Sequence, residues 1–165
     1  MQIGLLHSMC KELQEKWPNA YADILGSKNY PKIAGTVKFY KWKKGSIVAI
    51  EIDGLPQRIG EEKYPILGFH IHEGNRCSGN DKDYFADTLG HFNPKNYPHP
   101  QHAGDMPPIF ANDGIGIMVF YTDRFTPKDI VGKTVVVHKM PDDFKTQPSG
   151  GSGEKIACGE IEKVS

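Results

Sequence analysis

Six of the chain's seven histidines fall between His70 and His138. Three of them lie in a stretch, residues 74–112, that has no helical or strand period and is broken throughout by glycine and proline. So long a segment without secondary structure is uncommon inside a compact domain, and where it occurs it is usually functional. The chain must therefore build a rigid frame that carries long, ordered loops. Val37–Lys43 and Ser46–Asp53 are rich in β-branched and aromatic residues and flank a Lys43-Lys44-Gly45 turn, which predicts a hairpin. Residues 66–73 alternate as a strand does. Further strands are expected near Gly114–Thr122, Lys133–Lys139 and Ile156–Glu162, with a second loop over Pro141–Gly153. Eighteen glycines and twelve prolines in 165 residues suit such a turn-rich, all-β chain.

The N-terminus reads differently. Leu5, Leu6, Met9, Leu13 and Trp17 recur at helical spacing until Pro18 stops the run, so residues 4–17 are expected to form a helix with its apolar stripe packed on the main domain. Residues 18–32 carry breakers and are expected to be irregular. The division is then a helical extension over 1–32 and one β domain over 33–165. Twenty basic and twenty acidic side chains cancel, so no global field recruits nucleic acid or a membrane surface. No apolar run approaches the roughly 20 residues of a membrane span. The first residues lack the pattern of a secretory signal, which places the chain as written in the cytoplasm; a trimmed leader would make it periplasmic or extracellular.

His70-Ile71-His72 sits within a predicted strand. Residues two apart share a face there, so both imidazoles point the same way with Cα atoms about 7 Å apart. His91, His99, His102 and Asp105 lie within fifteen residues in a loop ordered by proline and glycine. Three imidazoles and one carboxylate match a tetrahedral zinc site. His138 ends the run Val135-Val136-Val137. The six histidines together suit two ions, and one imidazole, having two nitrogens, can serve both. Copper favours imidazoles in a tetragonal arrangement, whereas zinc accepts tetrahedral N/O ligation. The three cysteines, Cys10, Cys77 and Cys158, allow one long-range bridge with one thiol left over.

Several motifs stand in order along the chain: Gly68-Phe69-His70-Ile71-His72-Glu73, Gly90-His91-Phe92-Asn93-Pro94, His102-Ala103-Gly104-Asp105, Arg124-Phe125, Val137-His138, Asp142-Asp143 and Ala157-Cys158-Gly159. From about Gly35 to Ile161 the chain closely resembles the copper/zinc superoxide dismutase family, of the bacterial type. The resemblance implies a Greek-key β-sandwich or flattened barrel of about eight antiparallel strands with long metal-binding loops. It implies copper on His70, His72, His91 and His138, and zinc on His91, His99, His102 and Asp105, with His91 as the bridge. Asp142 matches a carboxylate that links a zinc-ligand to a copper-ligand imidazole, and Cys77 and Cys158 match an internal disulfide. The implied activity converts superoxide to oxygen and hydrogen peroxide by Cu(II)/Cu(I) cycling, with His91 releasing copper and taking up a proton. The implied partner is superoxide itself, and a homodimer is a possible assembly.

One position departs from the family's pattern. Lys155 stands three residues before Cys158, where most relatives place an arginine that orients the anion. Lysine keeps the charge and loses the planar donor fork. Lys155 is therefore expected beside copper with His91 as a catalytic residue, and activity is expected to be retained but lower. Two rival readings use the same residues. One is a non-enzymatic copper/zinc binder on the same fold, although this chain keeps all four copper positions. The other is a zinc hydrolase built on His91, His99 and His102, which Asp105 opposes because a fourth protein ligand closes the site.

Overall fold

The computed structural model describes residues 4–165. The strands, in chain order, are β1 (Ala20–Gly26), β2 (Ala34–Trp42), β3 (Gly45–Asp53), β4 (Arg58–Ile59), β5 (Glu62–Lys63), β6 (Ile66–Leu67), β7 (Phe69–His72), β8 (Ile109–Phe110), β9 (Gly116–Thr122), β10 (Thr134–His138), β11 (Lys155–Glu160) and β12 (Glu162–Lys163). Helix α1 spans Leu5–Glu15, a 3₁₀ turn spans Ala86–Thr88, and the short helix α2 spans Pro127–Ile130. The main sheet runs β7-β10-β11-β1-β2-β3-β9, with β12 pairing β1. Each of its pairings is antiparallel.

The order is a Greek key. β1, β2 and β3 form a meander. The chain then crosses to the far edge for β7, returns beside β3 for β9, and crosses again to insert β10 and β11 between β7 and β1. After Gly68 β6 continues into β7, and β6 pairs with β8. β8 turns back into β9 through Asn112-Asp113-Gly114-Ile115, where Asp113 (φ 53°) and Gly114 (φ 82°) take the left-handed conformations that a tight two-residue hairpin needs. The two sheet edges are thereby connected, giving a flattened half-barrel of the Greek-key kind that the family resemblance implies.

Alternation decides what each strand buries. Val37 and Phe39 of β2, Val48, Ile50 and Ile52 of β3, and Ala20, Ala22 and Ile24 of β1 fill one core. On β7, Phe69 and Ile71 join that core, and on β10 so do Val135 and Val137. Their neighbours in sequence must face the other way. The ladder sets Val136 opposite His70 and Thr134 opposite His72. His70, His72 and His138 therefore stand on the outer face of the sheet, beneath the long loops.

Two readings of the N-terminal region are corrected. Residues 18–32 are not irregular: β1 lies among them and takes two central pairings, with β2 and β11. Its short run, Ala20–Gly26, is punctuated by Ala and Asp and reads weakly as a strand in isolation; its partners on both sides hold it extended. Helix α1 forms, but none of its described residues is buried, and Leu5, Leu6 and Trp17 are exposed. The apolar stripe is thus only partly packed: Met9 and Leu13 are half-buried where α1 lies against β2, and Leu5, Leu6 and Trp17 stay open.

Candidate metal centre

Backbone pairing brings the ligand loop to the strand. The free edge of β7 accepts segments of the loop as extra partners, with isolated bridges between His72 and His91 and between His70 and Asp105. Ile71 N–H donates to the Gly104 carbonyl, and Phe92 N–H donates to the Ile71 carbonyl, at 2.9 and 2.8 Å. Gly104 permits this approach, because a Cβ there would lie 2.2 Å from the Ile71 carbonyl oxygen. Arg124 fastens the loop from outside, donating through Nη1 to the carbonyls of Pro100, His102 and Asp105. Gln147 reaches from the second loop to the main chain of His99, accepting from its N–H at 3.0 Å and donating to its carbonyl at 2.7 Å.

Two buried clusters result. In each, one ligand atom per residue lies within 4.8 Å of the others: His70, His72, His91 and His138 in the first, and His91, His99, His102 and Asp105 in the second. His91 belongs to both. Its ring stacks on that of His70 at 4.0 Å between centroids. All seven residues expected to be ligands are therefore brought together.

The proton positions follow from the partners. His70 Nε2 lies 2.8 Å from Asp142 Oδ2, and His99 Nε2 lies 2.9 Å from Asp142 Oδ1. A carboxylate accepts, so each Nε2 carries the hydrogen and each Nδ1 is left with a bare lone pair. His72 donates Nδ1–H to the Leu89 carbonyl at 2.8 Å, and His138 donates Nδ1–H to that of Gly153 at 3.3 Å. Their Nε2 atoms then face each other, both as acceptors, 3.1 Å apart. His70 Nδ1, His91 Nε2, His99 Nδ1 and His102 Nδ1 are buried without a hydrogen-bond partner. Burying such groups unpaired is costly, and lone pairs converging with no donor among them call for a cation. The first cluster offers four imidazole nitrogens and the second three with one carboxylate, sets that suit copper and zinc respectively.

The electrostatics agree. Burial, with lesser repulsion from His70, pushes His138 down to about 3. Burial likewise holds His72 well below the ordinary imidazole value and lowers His70 and His102. Burial opposes the charge of Asp142, but the hydrogen bonds from His70, Phe144 N–H and His99 outweigh it and hold the carboxyl well below the usual range. Asp105 is lowered in the same way: burial opposes its charge, and the His91 bond and nearby imidazoles outweigh it.

A pH dependence follows. The folded chain keeps these imidazoles neutral where the unfolded chain would protonate them, so unfolding takes up protons below about pH 6.5. Asp142, depressed in the fold, adds stability that is full above the ordinary carboxylate value near 4 and is lost as pH falls from there toward its depressed value. Both signs agree. The metal-free protein is expected to melt progressively lower as pH falls from about 6.5 toward 3, and thermal unfolding after chelation checks this. A flat melting temperature over that window would contradict the assignment of neutral, buried rings.

Lys155 stands outside the clusters. It is paired with His138 in the β10–β11 ladder, at a bulge. Its ammonium turns to Asp83 Oδ2 at 2.8 Å and to the Phe85 carbonyl at 3.0 Å. Cys77 and Cys158 form a disulfide, and Cys10 is an exposed free thiol on α1. The roles of Gln147 and of the Leu89 and Gly153 carbonyls had no signal in the sequence. Arg124 was visible only as part of a motif, without a role.

A half-barrel that buries six imidazoles and one carboxylate in two adjoining ligand sets, with a second carboxylate bonded to both, defines a binuclear metalloprotein. The model of the copper/zinc superoxide dismutase family matches residues 33–161. The chain is 32% identical to a superoxide dismutase [Cu-Zn] of Deinococcus radiodurans over 99% of this chain and 94% of the relative. It is 34% identical to superoxide dismutase [Cu-Zn] 1 of Aquifex aeolicus over 86% of each. A solved Cu/Zn superoxide dismutase from Brucella abortus superposes with a TM-score of 0.72 at 25% identity, covering 87% of this chain and 99% of that one. The chain belongs to the copper/zinc superoxide dismutase family and is an oxidoreductase with copper and zinc as cofactors. Among the described residues no helix is long and apolar enough to cross a membrane.

Proposed function

We propose that the protein dismutates superoxide, with His70, His72, His91 and His138 holding copper and His91, His99, His102 and Asp105 holding zinc. Two superoxide anions and two protons become one oxygen and one hydrogen peroxide. When bound, copper supplies the one-electron exchange with superoxide, which zinc cannot because it has no redox chemistry. The protein's part is positional and protic. His91 carries the reading, because one ring presents Nε2 to the first cluster and Nδ1 to the second. A proton held at His91 Nε2 and given up again would serve the reduced product, a transfer of general-acid type. Asp105, 2.7 Å from His91 Nδ1, keeps the other face of the ring oriented. Asp142 fixes His70 and His99 through its two oxygens, so one carboxylate sets the ring angles in both clusters. Solvent is largely excluded: the His91 side chain is 2% exposed and that of His70 is fully buried.

The test combines elemental analysis with superoxide decay by stopped flow. One copper and one zinc per chain with catalytic decay is the expected result. Loaded protein without turnover would leave a metal-binding protein on this fold.

Lys155 is expected to attract the substrate anion toward His138. Lys155→Ala should lower turnover about tenfold at low salt and flatten its salt dependence, while Lys155→Arg should match or exceed the native rate. Equal rates for all three proteins would remove Lys155 from the mechanism.

A further inference from the structure

Three ion pairs surround a depression of about 310 Å³ whose wall includes Asp81, Asp83, Tyr84, Gly153, Glu154 and Lys155. Gly153 connects this depression to the first cluster, because its carbonyl accepts from His138 Nδ1. Every carboxylate on the wall has a lysine. Asp81 pairs with Lys28 at 3.2 Å, Glu154 with Lys139 at 3.5 Å, and Asp83 with Lys155 at 2.8 Å. The first two pairs are open to water and contribute little.

The third pair is built differently. The Lys155 side chain is only 16% exposed, and its ammonium meets two acceptors from one turn, Asp83 Oδ2 and the Phe85 carbonyl. The turn is itself fixed, since Asp83 Oδ1 accepts from Phe85 N–H at 3.0 Å. Lys155 also stands across the ladder from His138. The cation nearest in the ladder to the first cluster is thus tied to a carboxylate on the loop between Cys77 and His91.

We propose that Asp83 is a positioning residue of this centre: it tethers the Lys155 ammonium to the Asp83–Phe85 turn and thereby limits how strongly the centre attracts a small anion. An ammonium with two of its three N–H bonds committed, one of them to a carboxylate, presents a weaker field to an approaching anion than a free one. Asp83 acts through Lys155 and touches neither substrate nor metal ligand. This inference rests on the copper/zinc reading given above.

The experiment uses the copper- and zinc-loaded protein and azide as the anion, followed through the copper absorption bands. Asp83→Asn keeps an oxygen for Phe85 N–H and removes only the charge. It is expected to tighten azide binding about fivefold and to steepen the salt dependence of superoxide turnover. The same change in a Lys155→Met background is expected to alter azide affinity by less than about twofold, because the group that Asp83 restrains is gone. An unchanged azide affinity for Asp83→Asn would overturn the proposal. An equal gain in both backgrounds would overturn it too, since Asp83 would then act through space and not through Lys155. A wild-type protein whose copper bands do not respond to azide would instead overturn the copper reading, and this inference with it.

Discussion

Replacing His91 with alanine should reduce superoxide turnover by about 10²–10⁴-fold, the range expected when a positioned proton donor is lost. The ring is a member of both clusters, so the change removes one donor from each. It also leaves Asp105 Oδ1 without its 2.7 Å partner and removes the ring stacked on His70. The defect should therefore appear in the metals as well as in the rate: zinc should dissociate faster into a chelator, and the copper absorption should shift. Stopped-flow decay of superoxide beside elemental analysis of the same sample makes the measurement. A His91→Ala protein that holds both metals at native affinity and keeps more than a tenth of the native rate would show that the shared ring is dispensable.

Removing the Cys77–Cys158 bridge should have the largest effect on stability. The two residues are 81 apart in sequence, and a closed loop of that size is worth about 4.5 kcal/mol in the chain-entropy treatment. In a domain of this length that corresponds to a fall of roughly 10 °C in melting temperature. The bridge also has a local task. Cys158, Val136 and Phe85 form a small cluster on the outer face of the sheet, apart from the main core, with Cys77 and Tyr84 packed on it. This cluster seats the start of the ligand loop, including the turn that holds Lys155. The Cys77→Ser/Cys158→Ser protein should therefore lose order between residues 77 and 88 before the barrel melts, visible as faster hydrogen exchange there. A melting temperature within about 2 °C of the native one would show that the packing alone holds the loop.

The main hairpin, the strand carrying His70 and His72, and the later strands were legible in the sequence because their alternation is strong and their turns are marked. All seven positions expected to hold metals meet in space, through a combination of period-two geometry and motif order. What remained hidden has a common physical cause. β1 is a strand because β2 and β11 flank it, a tertiary effect that its own residues barely signal. The Asp113-Gly114 turn marks a hairpin, but β8 is too short to show a period. The restraint on Lys155 by Asp83 joins residues 72 apart, and the clamp of Gln147 on His99 joins residues 48 apart; neither pair has a local signature. The stripe of α1 shows the converse, in which a clean helical pattern finds a surface for only part of its length: Met9 and Leu13 are half-buried while Leu5, Leu6 and Trp17 stay open.

Phe69 and Ile71 point into the barrel while His70 and His72, on the same four-residue strand, point out of it. Hydrophobic packing and metal chemistry are thus served by alternate letters of one short word. A change at Phe69 or Ile71 therefore acts first on the core and a change at His70 or His72 first on the ligand set, so two separate properties can be altered from one strand.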